Sequence, residues 1–371
     1  MKRVVIFHIF KFGGHSKAAE NIKEAFYYRD SQIDVLNLNG LSYFYPRIEK
    51  VVGVAYAAVI KYFPSLWRKA YDRKTLVKNL AFPIGFANRI AFRKLLRLVR
   101  NLNPSCFVAT QAFPCGIVAD FKKKSGLKIP LIAVVTDYIP HRFWVHPSID
   151  KYVVACQEAK EILIREGISD EKIKILGIPI SVKFLNFYSK DEISDSLGFI
   201  RDLPSVLIMG GGLGLGSIEK IAETIDVLDC DFQIIVICGK NRKLYKWFVK
   251  NKLNFRKPIF YFSYIGFVHK IMDFADIIIT KAGGITISEA LSKGSAIVVA
   301  NPIPGQEERN VSYLLKKRAI IKTDESSKIG ESIRELLEDK KKMYSLKEKA
   351  KGISLIDSSL RIVDLILGEI S

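Results

Sequence analysis

Short apolar runs alternate with amphipathic stretches along most of this chain. Arg3–Phe10 reads as a buried strand, and Ser16–Tyr28 then places Ala18, Ile22, Ala25 and Phe26 on one helical face. Further strand-like runs are Ile33–Leu38, Cys106–Thr110, Leu131–Asp137, Tyr152–Cys156 and Ile173–Leu176. After Gly177-Ile178-Pro179, a polar stretch to Asp202 reads as a linker. The pattern then restarts with a strand at Val206–Met209, a glycine loop at Gly210–Gly216 and a helix at Ser217–Leu228. The remaining runs are Gln233–Cys238, Ile259–Ile265, Asp276–Thr280, Ala296–Ala300 and Ala319–Lys322. Strands that alternate with helices predict parallel sheets covered on both faces. The expected fold is therefore α/β, with two Rossmann-like domains facing a cleft. Residues 1–182 form the first domain and 203–350 the second, and a helix within 351–371 returns to the first. Ligands of this class bind at strand carboxyl ends.

Residues 51–100 interrupt the alternation. They hold eleven basic residues against one acidic one, a net of +10, in a chain of 371 residues whose total net charge is +20. Eight aromatic residues are interleaved, among them Trp67 beside Arg68, Lys69, Arg73 and Lys74. Cations mixed with large rings suit an interfacial segment on anionic lipid. A nucleic-acid surface and a plain basic hairpin packed on the sheet are the competing readings. No apolar run approaches the ~18 residues of a spanning helix. The apolar start after Met1-Lys2-Arg3 lacks a small-residue cleavage site, so it reads as a strand rather than a signal peptide. The five cysteines are scattered without a C-x-x-C pair, as in a reduced, cytoplasmic protein.

Chemistry-bearing residues cluster where strands give way to helices. Gly210-Gly211-Gly212-Leu213-Gly214-Leu215-Gly216-Ser217 lets backbone amides approach a ligand at a helix start, which suits a diphosphate. No lysine precedes Ser217, which excludes an ATPase P-loop. A second junction runs from Thr280 to Leu291. Its Glu289 either faces ribose hydroxyls or closes a capping box with Thr286. In Asn301–Asn310, Gln306 and Glu307 stand at a helix start, able to bind sugar hydroxyls; alternatively Glu307 and Glu308 complement the helix dipole. Gly13-Gly14-His15 turns from the first strand into the first helix and offers a histidine for base chemistry. The stretch Thr136–Pro147 carries Asp137, His141, Trp144 and His146, in a spacing that matches no common zinc pattern. No metal and no cofactor are expected.

These stretches resemble glycosyltransferase family 28, in particular its monogalactosyldiacylglycerol synthases and bacterial processive diacylglycerol glucosyltransferases. The likeness is carried by Thr136 through Gly177-Ile178-Pro179, including Trp144-Val145-His146, and more closely by Thr280–Asn310. The resemblance implies a GT-B fold, a UDP-sugar donor in the C-terminal half and metal-independent inversion by direct displacement. It implies donor contacts at Gly211, Gly212, Gly214, Phe267, Gly284, Thr286, Ser288, Glu289, Gln306 and Glu307. On the acceptor side it implies His15 and Asp137 as candidate bases, with Gly14, His141, Trp144 and His146 near the acceptor. The chain departs from the family pattern at Phe12, where a glycine is usual, at Ala282, where a proline is usual, and at His269, where an acidic or polar residue is usual.

The expectation is a peripheral enzyme on the cytoplasmic face of the membrane. It transfers galactose or glucose from a UDP-hexose to diacylglycerol or a related glycolipid, on an anionic surface and without nucleic acid. One rival is a UDP-N-acetylglucosamine transferase acting on a polyprenyl-linked peptidoglycan precursor. Another, of a different class, is a non-catalytic basic protein that binds membrane or nucleic acid.

Overall fold

A computed structural model of the chain describes residues 2–10, 13–29, 32–46, 84–303, 305–323 and 326–370. The chain divides into two compact units. One comprises Met1–Val182, Pro304–Gln306 and Asp357–Ser371, and the other Lys183–Ile303 and Glu307–Ile356. Each is built on a six-stranded, wholly parallel sheet.

The N-terminal sheet contains β1 (Arg3–His8), β2 (Asp34–Asn39), β3 (Cys106–Ala109), β4 (Leu131–Val134), β5 (Lys151–Val154) and β6 (Ile173–Ile175), in the order β2-β1-β3-β4-β5-β6. Helices α1 (Gly14–Arg29), α2 (Gly40–Phe44), α3 (Ile84–Leu102), α4 (Ala112–Ser125) and α5 (Gln157–Arg165) connect them. The central strands have no polar face: Val4 to Phe7 and Cys106 to Ala109 are all fully buried. A parallel sheet covered on both sides requires such continuous apolar runs, and these runs were legible in the sequence.

The C-terminal sheet contains β7 (Ser205–Met209), β8 (Gln233–Ile237), β9 (Ile259–Phe262), β10 (Ile277–Thr280), β11 (Ala296–Ala300) and β12 (Ile320–Thr323), in the order β12-β11-β10-β7-β8-β9. Its helices are α6 (Lys190–Leu197), α7 (Ile218–Asp226), α8 (Arg242–Asn251), α9 (Val268–Phe274), α10 (Gly284–Ser292), α11 (Gln306–Lys316), α12 (Ser326–Glu338) and α13 (Lys340–Ile353). All twelve strand-like runs in the sequence are strands.

The last helix, α14 (Ser358–Ile370), belongs to the N-terminal unit. Ser358 Oγ donates to the Ile178 carbonyl at 2.8 Å and Ser359 Oγ to that of Ile180 at 2.5 Å. From α1, Asn21 Nδ2 donates to the Pro179 carbonyl at 2.9 Å. The Gly177-Ile178-Pro179 segment is therefore held by both helices.

The polar stretch before Asp202 is not a free linker. It folds on the C-terminal unit as α6, which starts with a capping box between Ser189 and Glu192. Gln233 Nε2 holds the carbonyls of Ile200 and Leu203 at 2.6 and 2.8 Å. Beneath the segment Lys293 and Asp273 form an ion pair of 2.8 Å, with side chains 0% and 5% exposed. Lys293 also donates to the Asn186 carbonyl, and Asp273 accepts from the Tyr188 amide. The polar composition was that of a short surface helix with a single apolar anchor at Ile193.

Trp67, Arg68, Lys69, Arg73 and Lys74 lie outside the described residues. The described end of the basic segment is α3. It buries Ala91, Leu95 and Leu98 and exposes Arg89, Arg93, Arg97 and Arg100. Spacings of four, four and three keep those arginines on one face. No helix of the described residues is long and apolar enough to cross a membrane.

Candidate functional site

In the N-terminal sheet the strand order reverses direction between β1 and β3, the point at which sheets of this class open a crevice at their carboxyl ends. After β1 the chain has Phe10 at φ +55°, and Gly13 at φ +143°, a conformation open to glycine. It enters α1 so that His15 sits in the first turn beside the ends of β3 and β4. His15 Nδ1 lies 2.8 Å from the carbonyl of Thr110, which follows β3. It lies 2.9 Å from Oγ1 of Thr136, which follows β4. A carbonyl only accepts, so Nδ1 carries the proton and donates to Thr110. Nε2 is then the nitrogen with the lone pair. Thr110 Oγ1 donates to the His15 carbonyl at 2.8 Å and fixes the backbone. Burial pushes the His15 imidazole down to about 4, against a smaller opposing effect of the Thr110 hydrogen bond. The ring is thus a neutral, oriented acceptor across the physiological range. Asp137 is buried next to Thr136, and Gly14 is exposed at the start of α1.

The other residues expected near the acceptor are largely occupied in shaping their loop. Trp144 is 3% exposed and packs as core. His146 Nδ1 accepts from the Ser148 amide at 3.1 Å, and Nε2 lies 3.3 Å from Asp120 Oδ1. Both ring nitrogens of His146 are therefore engaged locally. His141 Nδ1 accepts from the Phe143 amide at 3.2 Å and caps the turn Arg142–Trp144, with its ring 4.2 Å from that of Phe143. His141 is only half-buried, and Phe143 is exposed.

In the C-terminal sheet the reversal lies between β7 and β10, and the two glycine junctions follow those two strands. The loop after β7 is folded too tightly for side chains. A methyl group on Gly210 would lie 2.0 Å from the Leu215 carbonyl oxygen. Gly214, at φ +58°, would place one 2.0 Å from the Cys238 carbonyl oxygen. From the end of β8, Asn241 Nδ2 donates to the Gly214 carbonyl at 3.0 Å and the Lys240 amide to that of Gly212 at 3.0 Å. Gly212 is exposed and Gly211 is buried. A methyl group on Gly211 would come within 3.6 Å of both Thr286 Oγ1 and Lys281 Cε, so the two junctions meet there.

Helix α10 is capped by Gly283 with no side-chain cap, which puts Thr286 and Glu289 inside the helix. The capping box open to Thr286 and Glu289 in the sequence is not formed, because the helix starts three residues earlier than that motif requires. Gly284 opens α10, and Thr286, Ser288 and Glu289 are buried on it. Glu307 is also buried. Its Oε1 accepts from Lys281 Nζ at 2.9 Å and its Oε2 from the Ile303 amide at 2.9 Å. The resemblance assigns Glu307 to hexose hydroxyls, whereas both of its oxygens make bonds within the unit. Gln306 is the first residue of α11 and half-buried. Phe267 precedes α9 with its ring 6.1 Å from that of Phe262. His269 is buried, with its ring facing those of Phe184 and Tyr188 at 6.0 and 5.7 Å. Burial, helped by Lys293, Lys183 and Lys270, pushes it down to about 4. Ala282 is fully buried, and its carbonyl accepts from Asn310 Nδ2 at 3.0 Å.

Sequence reasoning did not single out Thr110, Thr136 or Lys281. Thr110 ends an ordinary apolar strand and carries no local signal. Thr136 and Lys281 stood inside stretches already noted, but only the fold aims their side chains.

The family model described as monogalactosyldiacylglycerol (MGDG) synthase matches residues 15–180. The model of the glycosyltransferase family 28 C-terminal domain matches residues 205–360. A processive diacylglycerol beta-glucosyltransferase of Bacillus licheniformis is 34% identical over 292 residues, 78% of this chain and 73% of its own. One of Bacillus cytotoxicus is 29% identical over 358 residues, 96% of this chain and 91% of its own. Among solved structures, MurG of Acinetobacter baumannii shares the fold at a TM-score of 0.66 and 14% identity, over 99% of this chain and 100% of that one.

Proposed function

This chain belongs to glycosyltransferase family 28, among the monogalactosyldiacylglycerol synthases and processive diacylglycerol glucosyltransferases, and from that premise we propose that it transfers a hexose from a UDP-sugar to diacylglycerol. The observation that carries the reading is the meeting of the Gly210–Gly216 loop with the start of α10 at the switch point of the C-terminal sheet. Exposed amides and a helix N-terminus suit a diphosphate there. Buried Thr286, Ser288 and Glu289 on α10 suit the neighbouring ribose, Phe267 the uracil, and Gln306 the hexose.

On the acceptor side, His15 Nε2 or the Asp137 carboxylate takes the proton of the lipid hydroxyl. Gly14 and His141 border that position, while Trp144 and His146 hold the adjoining loop in shape. The hydroxyl oxygen bonds to the anomeric carbon as the carbon–phosphate-oxygen bond breaks. The bonding pair leaves with UDP, whose charge is met by loop amides and the helix end. Direct displacement inverts an α-linked donor, and the curated relatives are named as beta-glucosyltransferases.

The reaction takes place at an anionic membrane surface on the cytoplasmic face. The exposed arginine face of α3 supports this reading, and the basic-aromatic sequence around Trp67 continues it. The test is product analysis with UDP-glucose and UDP-galactose, on vesicles that carry either diacylglycerol or a polyprenyl-linked acceptor. A β-hexosyl-diacylglycerol formed with stoichiometric UDP is the expected result. Sugar transfer only to the polyprenyl acceptor, or no UDP release on any lipid, would overturn it.

A further inference from the structure

We propose that Lys281 is the cation that meets the donor diphosphate, and that Glu307 is a positioning residue that aims it. The inference rests on the donor-site reading above and names a residue that neither the sequence motifs nor the resemblance assigned. Lys281 directly follows β10, on one side of the switch point, and its stem runs beside the glycine loop while its ammonium is held by Glu307. Its side chain is 20% exposed, and Cε lies 3.6 Å from where a methyl group on Gly211 would stand, as does Thr286 Oγ1. Lys281, Thr286 and the Gly211 backbone therefore line one small space between the loop after β7 and the start of α10.

The chemistry of that space is uneven. Loop amides and a helix end supply partial charges, whereas a leaving nucleoside diphosphate gains a full negative charge. Lys281 supplies a full positive one. An ammonium on a four-carbon stem would normally sweep a wide volume, at a considerable cost in side-chain entropy when it is fixed. Glu307 removes that freedom. Its Oε1 takes one N–H of Lys281 at 2.9 Å, and its Oε2 is itself held by the Ile303 amide. An ammonium has three N–H groups, so two are left to aim at phosphate oxygens. The second carboxylate bond fixes the Glu307 side chain at its helix start, and the position of Lys281 follows from it. The arrangement also explains why a residue expected at the hexose is turned inward.

The experiment compares binding of UDP and of uridine to the full chain by calorimetry, for wild type, Lys281→Met, Lys281→Arg and Glu307→Gln. Methionine matches the stem as far as Cε and removes the ammonium. Lys281→Met should lose about 10- to 100-fold in UDP affinity, the range for a charge-assisted hydrogen bond. Its uridine affinity should stay within about twofold of wild type. Lys281→Arg should recover part of the loss. Glu307→Gln, whose one amide oxygen can accept from Lys281 or from the Ile303 amide but not from both, should fall between Lys281→Met and wild type for UDP and be unchanged for uridine. Equal UDP binding by Lys281→Met and wild type would overturn the proposal. So would an equal loss of UDP and uridine across Lys281→Met and Lys281→Arg, the signature of an ion pair that only props the loop. Failure of the wild type to bind UDP at all would instead sink the donor-site reading, a result distinct from either.

Discussion

The His15 environment makes a prediction that joins structure to pH. Asparagine at position 15 keeps an N–H able to donate to the Thr110 carbonyl, but it has no nitrogen lone pair where Nε2 stands. His15→Asn should therefore fold like wild type, bind UDP with unchanged affinity, and turn over about 10²–10⁴-fold more slowly if His15 takes the proton. The pH profile sharpens the test. Burial holds the ring down at about 4 when folded, while an unfolded histidine titrates near 6.5. The acidic limb of kcat/KM in wild type should lie near pH 4 instead of 6.5, and it should vanish from the residual activity of His15→Asn. The sign for stability follows from the same shift. Above pH 6.5 neither state holds the proton and the full stability is present. As pH falls from 6.5 toward 4 the unfolded chain binds a proton that the folded one refuses, so stability declines by up to about 1.4 kcal/mol per pH unit from this group. Urea titrations of wild type and His15→Asn between pH 7 and 4.5 should diverge in that direction. The same burial makes an imidazolium costly in the transition state, so a carboxylate close by is the competing base. Near-wild-type turnover in His15→Asn together with an inactive Asp137→Asn would refute the assignment and make Asp137 the base.

Glu289→Ala should weaken UDP binding by about 1.5–3 kcal/mol through lost ribose hydrogen bonds, because the helix it sits on is not capped by it. Calorimetry showing unchanged UDP affinity beside a large fall in melting temperature would make Glu289 purely structural. Lys293→Met should cost about 3–5 kcal/mol in urea unfolding, since it leaves Asp273 buried without its cation. The double variant Lys293→Met/Asp273→Leu should recover much of that, and a single variant as stable as wild type would disprove the burial argument. Replacing Arg68, Lys69, Arg73 and Lys74 with Glu should reduce sedimentation with anionic vesicles and lipid glycosylation together, at unchanged UDP affinity. Each juxtamembrane cation contributes on the order of 1 kcal/mol, and wild-type vesicle binding by this variant would exclude the segment as the anchor. EDTA should leave transfer intact, because helix ends and Lys281 carry the diphosphate charge; activity lost to chelation and restored by magnesium would contradict that.

The sequence by itself determined the strands and the places where glycine was needed. A strand buried on both faces must be apolar throughout, so Val4–Phe7, Ile234–Ile237 and Ile277–Ile279 declared themselves without any tertiary knowledge. The loop Gly210–Gly216 declared itself as well, since a backbone packed against Leu215 and Cys238 admits no other residue at Gly210 and Gly214. Pattern could not say which side chains the topology would gather. Thr110 and Thr136 lie 95 and 121 positions from His15, and they meet it only because β1, β3 and β4 are neighbours in the sheet. Composition also misread the stretch before Asp202, where a surface helix and a linker share the same polar residues and only packing on Asp273, Gln233 and Lys293 separates them. The inward turn of Glu307 onto Lys281 belongs to the same class. A carboxylate at a helix start has the same letter in the sequence whether it faces a sugar or a lysine 26 positions away, and the geometry of two adjacent strand ends decides which.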